Sequence, residues 1–273
     1  MLSALRSVRD EVLDRAALQP DDTLLDVGAG DGLIAFGALD RLGPGGRVIF
    51  TDISRDLLDY CHAAAAQAGQ LNRCDFVVAP ADDLTAVPDA SVDVVTTRSV
   101  LIYVADKAAA FAEFRRVLRP GGRISLFEPI NVLMQGCGPR LFYGYDVSPV
   151  AEIVAKLAEQ FEAIQPPGAD PMLDFDDRDL VRLAEQAGFA QVELNLRVTV
   201  ETRRPALPWD SFLRQSGNPN LPPLGETLRG ALSPAELSAF TAHLRPLVEA
   251  GAGEDRKAFA YLTARDIVAG SAD

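Results

Sequence analysis

Leu24-Leu25-Asp26-Val27-Gly28-Ala29-Gly30-Asp31-Gly32 is a short apolar run that breaks into three alternating glycines. Such a run reads as a buried strand, and the stretch after it, to about Leu42, reads as a helix. A second strand-like run, Arg47-Val48-Ile49-Phe50-Thr51, closes on Asp52. Strand, glycine turn, helix and a second strand ending in an acid about 20 residues on is the arrangement that holds a ribose diol in nucleotide-binding α/β folds. Glycine permits the tight turn and lets a ligand lie on bare backbone. No other feature constrains the fold as much.

The spacing separates two kinds of ligand. A dinucleotide turn wants G-x-G-x-x-G, whose last glycine brings helix and strand together under a pyrophosphate. Here the glycines are Gly28, Gly30 and Gly32, and Leu33 follows. Asp26 and Asp31 would repel a pyrophosphate but suit a ligand carrying an ammonium and a sulfonium. The pattern resembles motif I of the class I methyltransferases that depend on S-adenosylmethionine (SAM), and Asp52 resembles their ribose-binding acid.

The remaining chain keeps the rhythm. Leu2, Leu5, Val8, Val12 and Ala16 recur at helical spacing ahead of the first strand, 23–27. Gly43-Pro44-Gly45-Gly46 ends the first crossover helix, and a second runs from about Ser54 to Ala68. Strands are expected at 75–79, 91–97 and 123–128. A helix from about Ala105 precedes the last of these and stops at Arg119-Pro120-Gly121-Gly122. Alternating strands and helices predict a parallel sheet wound right-handed. Asp176-Asp177 opens a helix closed by Gly188. Val192 to Val200 alternates apolar and polar residues, a strand with one wet face. Phe259-Ala260-Tyr261-Leu262-Thr263 reads as a more interior strand. The resemblance implies an α/β, Rossmann-like, doubly wound seven-stranded sheet. Its last strand is antiparallel, between the fifth and sixth, and insertions form a helical cap. The SAM-binding core is expected at 1–130, 176–203 and 258–273. The cap is expected at 131–175 and 204–257, with helices near 149–163 and 234–247, because long insertions in compact domains are usually functional. The other use for such segments is plain packing or a homodimer contact.

Composition narrows the partners. A net charge of −13 and a pI near 4.6 argue against nucleic acid and anionic membrane surfaces. The 48% hydrophobic content supplies a core for 273 residues, and no apolar run reaches membrane-spanning length. Cys61, Cys74 and Cys137 form no C-x-x-C pair, so neither a structural metal nor a disulfide framework is expected. The N-terminus shows no signal-peptide pattern, and the expected compartment is the cytoplasm.

The resemblance assigns site residues one by one. Gly28, Ala29, Gly30 and Gly32 supply backbone to the cofactor. Asp26 orients the loop or meets the methionine ammonium through water. Asp52 accepts the ribose hydroxyls, and Ile53 lies against adenine. In the loop after the third strand, Pro80 stands where the family often has an acid. Ala81 and Asp82 are the remaining adenine contacts, and Asp83 is either a further contact or a helix cap. Arg98 and Ser99 flank the methionine end, with Arg98 facing the cofactor carboxylate or a substrate. The segment ending Phe127-Glu128-Pro129 resembles the ubiquinone/menaquinone C-methyltransferase and arsenite methyltransferase branch. The cysteines do not form an arsenite site.

The implied reaction is methyl transfer to carbon, nitrogen or oxygen of a small organic molecule, as in secondary metabolism, leaving S-adenosylhomocysteine. Catalytic candidates are Tyr103, Glu128, Tyr143, Tyr145 and His243. His62 reads as a surface residue. A protein that binds SAM without methyl transfer, as a cyclase or regulator, is the alternative. Leu33 counts against a nicotinamide oxidoreductase. The absence of an Asn/Asp-Pro-Pro-aromatic motif at Thr97-Arg98-Ser99-Val100 counts against base methylation.

Overall fold

The computed structural model describes residues 2–134, 140–166, 168–216 and 221–266; Cys137 and Pro219 lie outside them. In chain order the elements are α1 (Leu2–Ala16), β1 (Thr23–Val27), α2 (Leu33–Leu39), β2 (Arg47–Asp52), α3 (Arg55–Gln67), β3 (Cys74–Val78), β4 (Val92–Arg98), α4 (Lys107–Val117) and β5 (Leu118–Pro129). Then follow α5 (Asn131–Met134), β6 (Leu141–Phe142), β7 (Tyr145–Asp146), α6 (Ala151–Ile164), α7 (Asp177–Gln186), β8 (Gln191–Glu201), α8 (Trp209–Leu213), α9 (Leu224–Ala231), α10 (Pro234–Ala250) and β9 (Asp255–Arg265). The chain divides into two compact units. Unit 1 is Met1–Pro129, Asp177–Leu196 and Phe259–Asp273, and unit 2 is Ile130–Asp176 and Arg197–Ala258.

Unit 1 holds a seven-stranded sheet in the order β3-β2-β1-β4-β5-β9-β8. Strands β1 to β5 pair in parallel, and β9 runs antiparallel to β5. Leu24, Leu25, Val27, Val92, Val94 and Val95 are all buried, as parallel strands covered on both faces require. Val12 and Leu13 of α1, Ile34 and Ala38 of α2 and Leu58 of α3 pack with Leu24, Val48 and Phe50. α4 and α7 pack on each other. The chain order reverses between β1 and β4, so right-handed crossovers send helices to opposite faces and open a crevice beyond the strand ends there.

Two strands depart from the sequence reading. β5 begins at Leu118 and not at Arg123. Leu118 pairs with Val92 ahead of a register shift, and Arg119–Gly122 is drawn into the strand. β8 is an edge strand as its alternation implies, but Leu196, Val198 and Val200 are 39–46% exposed. Alternation reports which residues share a face; burial depends on what packs there.

Unit 2 has its own core. Leu157, Trp209, Phe212, Leu228, Phe240 and Leu244 are buried together, with Trp209 stacked on Phe212 at 5.4 Å between ring centroids. Three of its helices start on proline: Pro208 and Pro223 precede α8 and α9, and Pro234 opens α10. Proline suits these positions because its missing N–H has no helical partner there. Ser233 and Glu236 complete a capping box on α10, and Gly251 ends it at φ +63°. β6 and β7 form a hairpin whose two loop residues, Tyr143 and Gly144, both have positive φ.

Candidate functional site

The glycine turn leaves β1 at the crevice and is fastened from below. Ala29 N–H donates to Thr51 O at 2.8 Å, and Gly30 N–H donates to Asp52 Oδ2 at 2.9 Å. The other oxygen, Asp52 Oδ1, accepts from Ser54 N–H at 2.8 Å. Each carboxylate oxygen has two lone-pair sites, so Asp52 keeps acceptor capacity on both after these bonds. Gly28 has φ +65°, and a Cβ there would stand 2.4 Å from Val100 Cγ2, so only glycine fits. At Gly30 (φ +57°) a Cβ would meet nothing within 4 Å. The space beside its Cα is therefore open, a surface a nucleoside could lie on. Gly32 caps α2, and Ala29 is buried beneath the turn.

Asp26 is wholly buried and spends its oxygens on the fold. Oδ1 accepts from Thr96 Oγ1 at 2.9 Å and Oδ2 from Ala35 N–H at 3.1 Å, which ties β1 to β4 and to the first turn of α2. Burial, working against these bonds, pushes its pKa up to about 7. Ile53, just past Asp52, is 75% exposed. Beyond β3, which is joined to Asp52 O by Ala79 N–H, Ala81 is buried and Asp82 half-buried. Asp83 Oδ1 accepts from both Thr85 N–H and Thr85 Oγ1, a turn-capping arrangement that holds its carboxyl below the usual range.

At the end of β4, Arg98 is half-buried and has no ion-pair partner among the described residues. Ser99 follows at φ +57°, a costly conformation for a residue with a side chain. A 3-10 turn over Leu101–Tyr103 leaves Tyr103 58% exposed. Glu128, on neighbouring β5, is fully buried. Its Oε1 accepts from Thr97 Oγ1, Val100 N–H and Leu101 N–H at 3.2, 3.0 and 3.1 Å. Burial drives this carboxyl up to about 7 against those donors.

Unit 1 thus brings together Asp26, Gly28–Gly32, Asp52, Ile53, Arg98, Ser99, Tyr103 and Glu128 at the carboxyl ends of β1, β2, β4 and β5. The other three catalytic candidates belong to unit 2. Tyr143 and Tyr145 each meet Phe212 edge-on, at 5.7 and 5.8 Å between centroids, and burial raises both phenols. Arg204 donates to Tyr143 O and lies over the Tyr145 ring. His243 Nε2 stands 2.8 Å from Asp146 O. His62 is exposed on α3 beside Phe76. The sequence reading placed Thr97 and Val100 only within the run after the fourth strand that flanks the methionine end, and did not single out Thr96. The signal for the two threonines is a polar pair at the end of a buried strand, which has to find internal partners.

Residues 25–126 match the family model described as a methyltransferase domain. Over this segment the chain is similar to methyltransferase domains. Its match to nocamycin O-methyltransferase of Saccharothrix syringae is 38% identical over 125 residues, covering 46% of this chain and 44% of that protein. The chain therefore spans less than half of that relative's length. A ubiquinone/menaquinone biosynthesis C-methyltransferase of Hahella chejuensis is 28% identical over 64% of this chain and 70% of its own. The solved [4+2]-cyclase SpnF shares the fold, with a TM-score of 0.54 at 20% identity over 96% of this chain and 81% of its own. Among the described residues, no helix is long and apolar enough to cross a membrane. Nor is any group of three or more His, Cys, Asp or Glu side chains placed to hold a metal ion.

Proposed function

We propose that the chain binds SAM on the glycine turn and transfers its methyl group to a small organic molecule, leaving S-adenosylhomocysteine. The observation that carries this reading is the Asp52–Gly30 pair. A nearly buried carboxylate keeps acceptor capacity on both oxygens, beside a glycine with open space at its Cα. Asp52 accepts the ribose hydroxyls in this reading. Ile53 offers an apolar surface to adenine, alongside Ala81 and Asp82, and Arg98 and Ser99 bound the methionine end. When bound, the cofactor supplies a methyl group already activated on a sulfonium.

What remains for the protein is alignment and exclusion of water, which can contribute up to roughly 7–11 kcal/mol. A dedicated base is not needed. Tyr103 is the candidate with an exposed ring at the end of β4. The relatives with methyltransferase names support transfer over binding alone. Unit 2 is read as the cap that selects the acceptor. Its support is that both of its segments are long insertions, one after β5 and one after β8, of the length that usually carries function. The acidic charge supports an acceptor other than nucleic acid, and a cytoplasmic location and a homodimer complete the proposal. Calorimetric titration with SAM, S-adenosylhomocysteine and NAD tests the cofactor. Incubation with methyl-labelled SAM and candidate acceptors tests the transfer. Micromolar binding of the first two ligands without NAD is the expected result, and binding of NAD alone would overturn it.

A further inference from the structure

Glu128, like Asp26, is a buried carboxyl of the site, and its two oxygens differ. Oε1 takes three donors; Oε2 is buried with no hydrogen-bond partner among the described residues. A saturated oxygen and an enclosed one leave the carboxyl no open route to a reacting atom. Two of the donors, the amides of Val100 and Leu101, belong to the start of the 3-10 turn, where backbone N–H groups lack partners within the turn. A side chain from the adjacent strand thus caps the turn that follows β4. The residue before it helps: Ser99, in its left-handed conformation, donates its N–H to Phe127 O at 2.8 Å. So two consecutive residues of β5 hold the backbone or side chains of Thr97, Ser99, Val100 and Leu101. Val100 in turn occupies the space that a side chain on Gly28 would need.

We propose that Glu128 is a positioning residue, whose buried carboxyl fixes the turn after β4 and, through Val100, the seat of Gly28 in the cofactor loop. The effect on the cofactor rests on the function proposed above; the effect on the turn does not. Burial that raises the carboxyl to about 7 fits a group held by neutral donors alone.

Amide hydrogen exchange and titration with S-adenosylhomocysteine on wild type, E128Q, E128A and V100A test this. E128Q keeps an acceptor oxygen, so Val100 and Leu101 should exchange as in wild type and affinity should hold within about threefold. In E128A those two amides should exchange at least about tenfold faster and affinity should fall at least about tenfold, while Leu24–Val27 of β1 keep wild-type rates. V100A should leave exchange at Leu101 slow yet weaken S-adenosylhomocysteine by roughly threefold or more. Wild-type exchange at Val100 and Leu101 in E128A overturns the proposal. So does acceleration throughout β1, which would make Glu128 a support of the fold alone. Unchanged affinity in V100A breaks the link to Gly28. If E128A does not fold, E128Q and V100A decide by the same criteria. If wild type itself fails to bind S-adenosylhomocysteine, the cofactor reading falls while exchange still judges the turn.

Discussion

The acids at the strand ends of unit 1 and the acids of unit 2 are used in opposite ways. In unit 1 the acids at the strand ends are buried and hold backbone: Asp26 takes Ala35 N–H, Asp52 takes Gly30 and Ser54, and Glu128 takes Val100 and Leu101. In unit 2 the aromatic rings form the core, while the acids cap and pair at the surface. Asp146 caps Ser148, and Glu236 meets Lys156 and Ser233. The difference teaches where preorganised binding can reside. Loops fixed by buried carboxylates present backbone at defined positions, whereas an aromatic cluster gives stability and shape.

Four measurements would break or sharpen that contrast. F212A should cost unit 2 about 3–5 kcal/mol in denaturant unfolding and leave SAM affinity within about twofold. A large loss of affinity at unchanged stability would break the contrast. D52A removes the proposed acceptor of two ribose hydroxyls, each bond to a charged group contributing about 1.5–3 kcal/mol, so calorimetry should show SAM binding weaker by about a hundredfold or more.

pH separates the buried strand-end acids of unit 1 from the surface acids of unit 2 by sign. Asp26 and Glu128 titrate near 7, above their ordinary values, because burial disfavours their charge. Folded chain then binds more protons than unfolded chain between about pH 4 and 7, so their contribution is full at the acid end and lost as pH rises through that window. E128Q should gain stability relative to wild type by up to roughly 3 kcal/mol between about pH 5 and 7, measured by urea unfolding. The partners of Asp146 and Glu236 hold those carboxyls below the ordinary range, Glu236 down to about 2, first through Lys156. Their contribution runs the other way: present above pH ~4 and lost on acidification. D146N and E236Q should therefore match wild type only at low pH. The smallest effect is S99G, which relieves a left-handed residue and should raise the melting temperature by about 2–4 °C. A fall would show that Ser99 is not strained.

Unit 1 was legible where a local pattern has one physical meaning. The glycine turn, Asp52 and the apolar runs of β1, β2 and β4 mark strand ends and crossovers directly. Glu128 was visible as an acid in an apolar strand, but its partners were not, because Val100 lies 28 residues away and meets it only through strand pairing. Val100 itself looks like any core valine until Gly28 is beside it. In unit 2 the prolines at 208 and 223 each stand just before a helix. The Tyr143-Gly144 hairpin lacks the Asn-Gly or Asp-Gly pair that announces such a loop, and Tyr143 takes a positive φ under tertiary packing.

The central claim is that the glycine turn and Asp52 hold SAM. Titrating SAM and NAD into wild type and D52A by calorimetry tests it most directly. The account predicts micromolar SAM binding to wild type, loss of that binding in D52A and no heat with NAD. SAM binding of equal strength in D52A, or binding of NAD in place of SAM, would contradict it.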